Sequence, residues 1–236
     1  PDGSTVLINH VALLAAPSLF TNLRYDTKTA FEAVGLVNNA PMVLIGRKSI
    51  PGAGPKDFVA WIKAQGEKAN FAHGGIGTNS HLCAVMMGNV LGFKPTVAAY
   101  RGSAPAIADL LAGQIDLLWD QVTNALPQIQ AGTLHGIAIT SSERLEQLKD
   151  VPTTAELGMP EVSYTMWHGL YVAKGTPKET IGALNSALRK ALSDPGLLEK
   201  LKQLGTLPFP DSEMTPEAHA RLFASDLPRV AKLVES

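Results

Sequence analysis

The segment Phe71–His81, FAHGGIGTNSH, packs three glycines, a threonine, an asparagine, a serine and two histidines into a short stretch. A strand-like run leads into Gly74-Gly75-Ile76-Gly77, and a helical pattern begins at Thr78 or Ser80. That arrangement turns several backbone N–H groups toward one spot. Unpaired N–H groups and the positive end of a helix dipole favour an anion by about 0.3 to 1 kcal/mol when exposed and about 2 when partly buried. Glycine permits close approach to the backbone, and hydroxyls add donors. Gly75, Gly77, Thr78, Asn79 and Ser80 are therefore candidates for holding an acid group. No lysine follows the glycines as in a Walker A loop, and the spacing is not that of a dinucleotide fingerprint, so a compact acid fits better than a nucleotide. The same residues also suit a plain strand-to-helix turn capped by Thr78 or Ser80.

A second strand-to-helix turn follows in YRGSAPAIADLLAGQIDLLWD, where Gly102, Ser103, Ala104 and Pro105 precede a helix and the next strand ends at Asp120. Two such turns at the carboxyl ends of neighbouring parallel strands would line one crevice, the usual ligand position in open α/β sheets.

Other reactive side chains point to weaker chemistry. His73 and His81 lie eight apart without a cysteine or carboxylate cluster, which is not a metal-ligand spacing, and no metal or other cofactor is expected. Ser80 or Cys83 beside His81 is the only local nucleophile and base pairing. Adjacent helix residues point about 100° apart, and no G-x-S-x-G elbow is present, so no catalytic residue is assigned. Cys83 falls on a buried helix face with Met86 and Met87. His135 and His219 stand in polar stretches and are expected to be exposed. Arg47 and Arg101 could pair with a ligand carboxylate, solvent-facing charges being the favoured reading, and Trp119 and Trp167 are either ligand-stacking or packing residues.

These residues need a scaffold, and the pattern supplies an α/β one. Strands are expected at Thr5–Asn9, Ala33–Val37, Met42–Arg47, Asn70–Ala72, Thr96–Tyr100, Leu117–Trp119, Gly136–Thr140 and Gly169–Ala173, in a largely parallel sheet. Helices are expected at Phe58–Gln65, Thr78–Val90, Pro105–Ala112 and Pro127–Gln130. Three more are expected in the C-terminal third, with Thr176-Pro177 and Thr215-Pro216 as capping starts. Of the 236 residues, 45% are hydrophobic and 17% charged, ordinary values for a chain with a substantial core. A formal net charge of −1 without charge runs argues against nucleic acid. The longest apolar stretches, such as Val11–Phe20, fall short of the roughly 18 to 20 residues needed to cross a bilayer.

The blocks GGIGTNSHL, AYRGSAPAIADLLAGQIDLLWD, ALPQIQAGTLHGIAIT with SSERLEQLKDVPTTAELG, and WHGLYVAKGTPKETIGALNSAL, in this order, resemble the substrate-binding proteins of tripartite tricarboxylate transporters, the Bug or TctC family. The resemblance implies a two-lobed type II periplasmic-binding-protein-like fold, with residues 1–47 plus 156–236 as lobe one and 48–155 as lobe two. It also implies a periplasmic protein that captures a small carboxylate between its lobes and presents it to a membrane permease. The second-lobe grip maps onto Gly75, Gly77, Thr78, Asn79 and Ser80, with Ser103, Ala104 and Pro105 beside it and Asp120 at the floor. Asn9, His10, Trp167 and His168 are expected to face the ligand from lobe one. Against the family pattern the chain starts after an N-terminal strand, loop and helix, so lobe one is expected to be incomplete, with dimerisation through exposed strand edges as one consequence. A carboxylate sensor for a membrane signalling partner and an enzyme acting on small acids are the alternative functions.

Overall fold

The computed structural model describes residues 1–51 and 55–235. Its elements run β1 (Val6–Asn9), α1 (Ala12–Leu19), β2 (Phe31–Gly46), α2 (Pro55–Gln65), β3 (Asn70–His73), α3 (Asn79–Leu91), β4 (Thr96–Ala99), α4 (Ser103–Leu111) and β5 (Leu117–Gln121). They continue with α5 (Val122–Gln130), β6 (His135–Ile139), β7 (Thr165–Ala173), α6 (Lys178–Leu192), α7 (Pro195–Gln203), β8 (Leu207–Pro208) and α8 (Pro216–Glu235). The chain divides into two compact units. The first comprises Pro1–Asn39 and Met166–Ser236, and the second Ala40–Thr165.

In the second unit β3 pairs in parallel with β4 and with β5, while β2 runs antiparallel to β5 and β6. In the first unit β1 pairs antiparallel with β7, and Asn38–Asn39 of β2 pair antiparallel with β8. The largely parallel sheet expected from the sequence is thereby corrected. Parallel pairing is confined to the three strands whose connections are helical crossovers, which parallel neighbours require. Its consequence for the site is direct, because β3, β4 and β5 end on one side and each runs on toward a helix there.

The core of the second unit lies on both faces of this sheet. Leu44, Ile45, Phe71, Leu117, Leu118 and Trp119 come from the strands, and Phe58, Ile62, Leu82, Cys83 and Met87 from the helices; all are at most 1% exposed. Burying side chains of this size contributes about 1.5 to 3 kcal/mol each, which holds the strand ends in place.

Several local expectations change. β2 is one strand of 16 residues where two were expected, since Asn38, Asn39 and Pro41 look like a break but are absorbed in extended backbone. The apolar stretch Val11–Phe20 forms α1, although Pro17 lies inside it. α4 begins at Ser103, two residues before Pro105, and α5 begins at Val122, five before Pro127. A proline in the first turn of α4 removes only an N–H that has no intrahelical acceptor. Thr176 does not cap α6; its hydroxyl donates to the carbonyl of Ala173, and Pro177 is the N-cap. Thr215 does cap, accepting the Ala218 N–H at 3.1 Å, as Asp194 accepts that of Leu197 at 2.9 Å to start α7.

Candidate ligand site at the ends of the parallel strands

The turn after β3 is built by glycine backbone. Gly75 and Gly77 adopt φ of +141° and +76°, conformations that other residues enter only with strain. The loop closes on itself and on the next turn. The Thr78 hydroxyl donates to the Gly75 carbonyl at 2.7 Å, and the Gly102 N–H donates to the Gly74 carbonyl at 3.0 Å. A Cβ on Gly74 would stand 3.3 Å from the carbonyl carbon of Gly102 and 3.5 Å from the Ser103 nitrogen, so the two turns touch through bare backbone.

Both histidines of the segment are part of this construction. His73 Nδ1 accepts the Gly75 N–H at 3.0 Å, and His81 Nδ1 accepts that of Gly77 at 3.3 Å. Because Nδ1 accepts in each, the neutral ring carries its proton on Nε2. The rings stand 4.7 Å apart. Burial, reinforced by proximity to His81, pushes His73 down to about 4, and burial lowers His81 as well. His81 sits in the first turn of α3 and reaches back past the N-cap residue Thr78 to Gly77.

The expected hydroxyl donors are turned inward. Ser80, 6% exposed, donates to the carbonyl of Trp119, so its proton serves β5 and no nucleophile and base pair forms with His81. Thr78 is the N-cap residue of α3 but makes no side-chain cap bond, its hydroxyl being spent on Gly75. Ser103 donates to Asp120 Oδ1 at 2.8 Å. Asp120, 2% exposed, also takes the Gln121 N–H at 2.7 Å and Asn124 Nδ2 at 3.2 Å on that oxygen. Burial raises its carboxyl above the usual carboxylate range, against the pull of these three donors. Asn124 escaped the sequence reading, although its place four residues after Asp120, across a strand-to-helix junction, could have signalled it. Asn79 is buried at the start of α3, and Ala104 and Pro105 lie exposed in the first turn of α4.

Helix geometry leaves the first-turn N–H groups of Ser80 and His81 in α3 and of Ser103 and Ala104 in α4 without intrahelical acceptors. Pro105 has none. Together they form an anion-favouring surface at one end of the second unit.

In the first unit Asn9, His10 and His168 come together. Asn9 Oδ1 accepts the His10 N–H at 2.7 Å, His10 Nδ1 accepts the Ala12 N–H at 3.3 Å, and the rings of His10 and His168 meet edge to face at 5.9 Å. His168 Nδ1 bonds Asn38 Oδ1 at 3.0 Å, and Asn38 in turn donates to Thr206. Burial, with the neighbouring His168 second, pushes His10 down to about 4. Trp167 takes the opposite face of β7, buried, its Nε1 donating to Asp226 at 2.7 Å. His219, expected to be exposed, is completely buried against Trp167 and Tyr171. Arg47 does not face solvent freely but pairs with Asp116 at 2.7 Å. A cavity of about 510 Å³ in this unit, lined among others by Glu32, Lys178, Asn185 and Glu217, involves none of the expected site residues. Among the described residues no group of three or more histidines, cysteines or carboxylates could hold a metal ion.

The sequence profile of the tripartite tricarboxylate transporter family receptor, TctC, matches residues 1–236. A curated relative from Agrobacterium vitis, the UPF0065 protein in the TAR-I ttuE-ttuC' intergenic region, is 36% identical over 234 residues, covering 99% of this chain and 68% of that protein. The periplasmic binding protein BugD superposes with a TM-score of 0.92 at 38% identity, over 100% of this chain and 78% of that one. MatC (Rpa3494) from Rhodopseudomonas palustris, solved with bound malate, gives 0.91 at 31% identity, over 99% and 80%. These are solute-binding proteins, not enzymes, and the fold they share with this chain is that of two-lobed type II binding proteins. The chain belongs to the tripartite tricarboxylate transporter family of receptors, TctC.

Proposed function

We propose that the chain is a periplasmic receptor that captures a small organic carboxylate and delivers it to the membrane permease of a tripartite transporter. The observation that carries this reading is the convergence of two helix N-termini, α3 and α4, whose preceding turns meet at the ends of the parallel strands β3 and β4. An acid group there gains backbone donors and two helix dipoles, together about 1 to 4 kcal/mol. MatC, of the same family and fold, binds malate, a compact diacid of the kind this surface suits. Gly75 and Gly77 shape the turn, Thr78, Asn79 and Ser80 start one helix, and Ser103, Ala104 and Pro105 start the other above Asp120.

The test is a thermal-shift screen of the purified chain against mono-, di- and tricarboxylates, followed by calorimetry on the hits. A true ligand at 100 times its dissociation constant raises stability by about 2.7 kcal/mol. The reading predicts stabilisation by one or a few acids, none by their amides, and loss of uptake when the permease is deleted. A flat screen, or equal stabilisation by an acid and its amide, would sink it.

A further inference from the structure

The direction of the hydroxyl protons at the two turns says more about the ligand than its carboxylate. Ser80 and Thr78 each donate to a backbone carbonyl, which can only accept, so both protons are fixed inward. Ser103 is half-buried at the first position of α4, and its proton lies on Asp120 Oδ1. That oxygen also takes the N–H groups of Gln121 and Asn124, so Oδ1 is the acceptor and Ser103 the donor of the pair. Asp120 Oδ2 is buried and has no hydrogen-bond partner among the described residues, and no ion pair joins this carboxylate to a Lys or Arg among them. The start of α4 therefore offers backbone donors and the lone pairs of Ser103 beside a buried carboxylate.

We propose that Ser103, its proton held by Asp120, accepts a hydrogen bond from the ligand, so that the site prefers acids bearing a hydroxyl or amino group beside the carboxylate over plain acids. This rests on the carboxylate reading above and names its substrate class. A plain acid meets the N–H groups but sets nothing against Ser103 Oγ. A 2-hydroxy or 2-amino acid places an O–H or N–H there. Sites built to bond a ligand hydroxyl discriminate strongly against the analogue without it, because the site's own polar groups are then left unpaired.

The experiment is calorimetry of the chain with three matched acids, malate, aspartate and succinate. The expected result is at least about tenfold tighter binding of malate or aspartate than of succinate. Ser103→Ala should weaken malate and aspartate at least about fivefold more than succinate and so bring the three within about twofold; a general structural defect would weaken all three alike. Ser103→Thr keeps the oxygen and should keep the preference. Asp120→Asn keeps an acceptor for the Ser103 proton and should keep the preference for malate. Succinate binding as tightly as both partners, or an undiminished preference in Ser103→Ala, overturns the inference and leaves the carboxylate reading standing. Binding of no acid in the panel overturns both.

Discussion

Buried histidines serve opposite ends in the two units. Beside the glycine turn, His73 and His81 each take a backbone N–H on Nδ1 and so brace the loop. In the first unit His219 is fully buried among aromatic rings, and neither of its ring nitrogens has a hydrogen-bond partner among the described residues. Both settings lower the histidine by burial, yet only the first earns a hydrogen bond for it. Burial alone thus does not mark a functional histidine; what the ring nitrogens bond decides whether it shapes a site or fills space.

The comparison breaks most visibly at Gly169. A Cβ there would stand 2.1 Å from His219 Nε2 and 2.3 Å from Cε1, inside a packed shell. Gly169→Ala should cost about 3 kcal/mol or more, measured by denaturant unfolding, with near-wild-type cost as the result that would contradict the packing account. Next in size is Gly75→Ala, where φ of +141° and a Cβ 3.3 Å from Thr78 Cγ2 predict about 1 to 3 kcal/mol of stability and weaker carboxylate binding.

The acid limb is common to the two settings. The unfolded chain protonates His219 near its usual 6.5, while in the fold burial pushes it down to about 4. The unfolded state therefore binds more protons between those values, and stability falls as pH drops from about 6.5 toward about 4, by up to about 1.4 kcal/mol per pH unit for each such histidine. His10 and His73 share this behaviour. His219→Phe removes one of the three, and with it two unpartnered nitrogens, so the variant should match the wild type within about 1 kcal/mol at pH 7 and exceed it at pH 5. Melts at the two pH values check this; a variant equally weakened at both would contradict it. The smallest effect is Thr78→Val, which loses the 2.7 Å bond to the Gly75 carbonyl and should cost about 1 kcal/mol by thermal unfolding.

Much of this scaffold was legible in the sequence. Short, largely apolar runs gave β3, β4 and β5, the first two followed by glycine turns, because those elements are fixed by local spacing. The unity of β2 was not, since pairing on both sides overrides the turn-like Asn38, Asn39 and Pro41. The glycine turn was legible because positive φ leaves little choice of residue. The fate of its hydroxyl protons was hidden, because their acceptors lie far along the chain, Trp119 for Ser80 and Asp120 for Ser103. His219 was misread from its polar neighbours, although an isolated glycine in a strand, Gly169, signals close approach by another group.

The most direct test of the account is amide NMR of the chain titrated with malate. If the helix N-termini of the second unit hold the acid group, the N–H signals of Ser80, Ser103 and Ala104 move furthest downfield at saturation. Unchanged signals there, with shifts confined to residues such as Glu32, Lys178 and Glu217 around the cavity of the first unit, would contradict it.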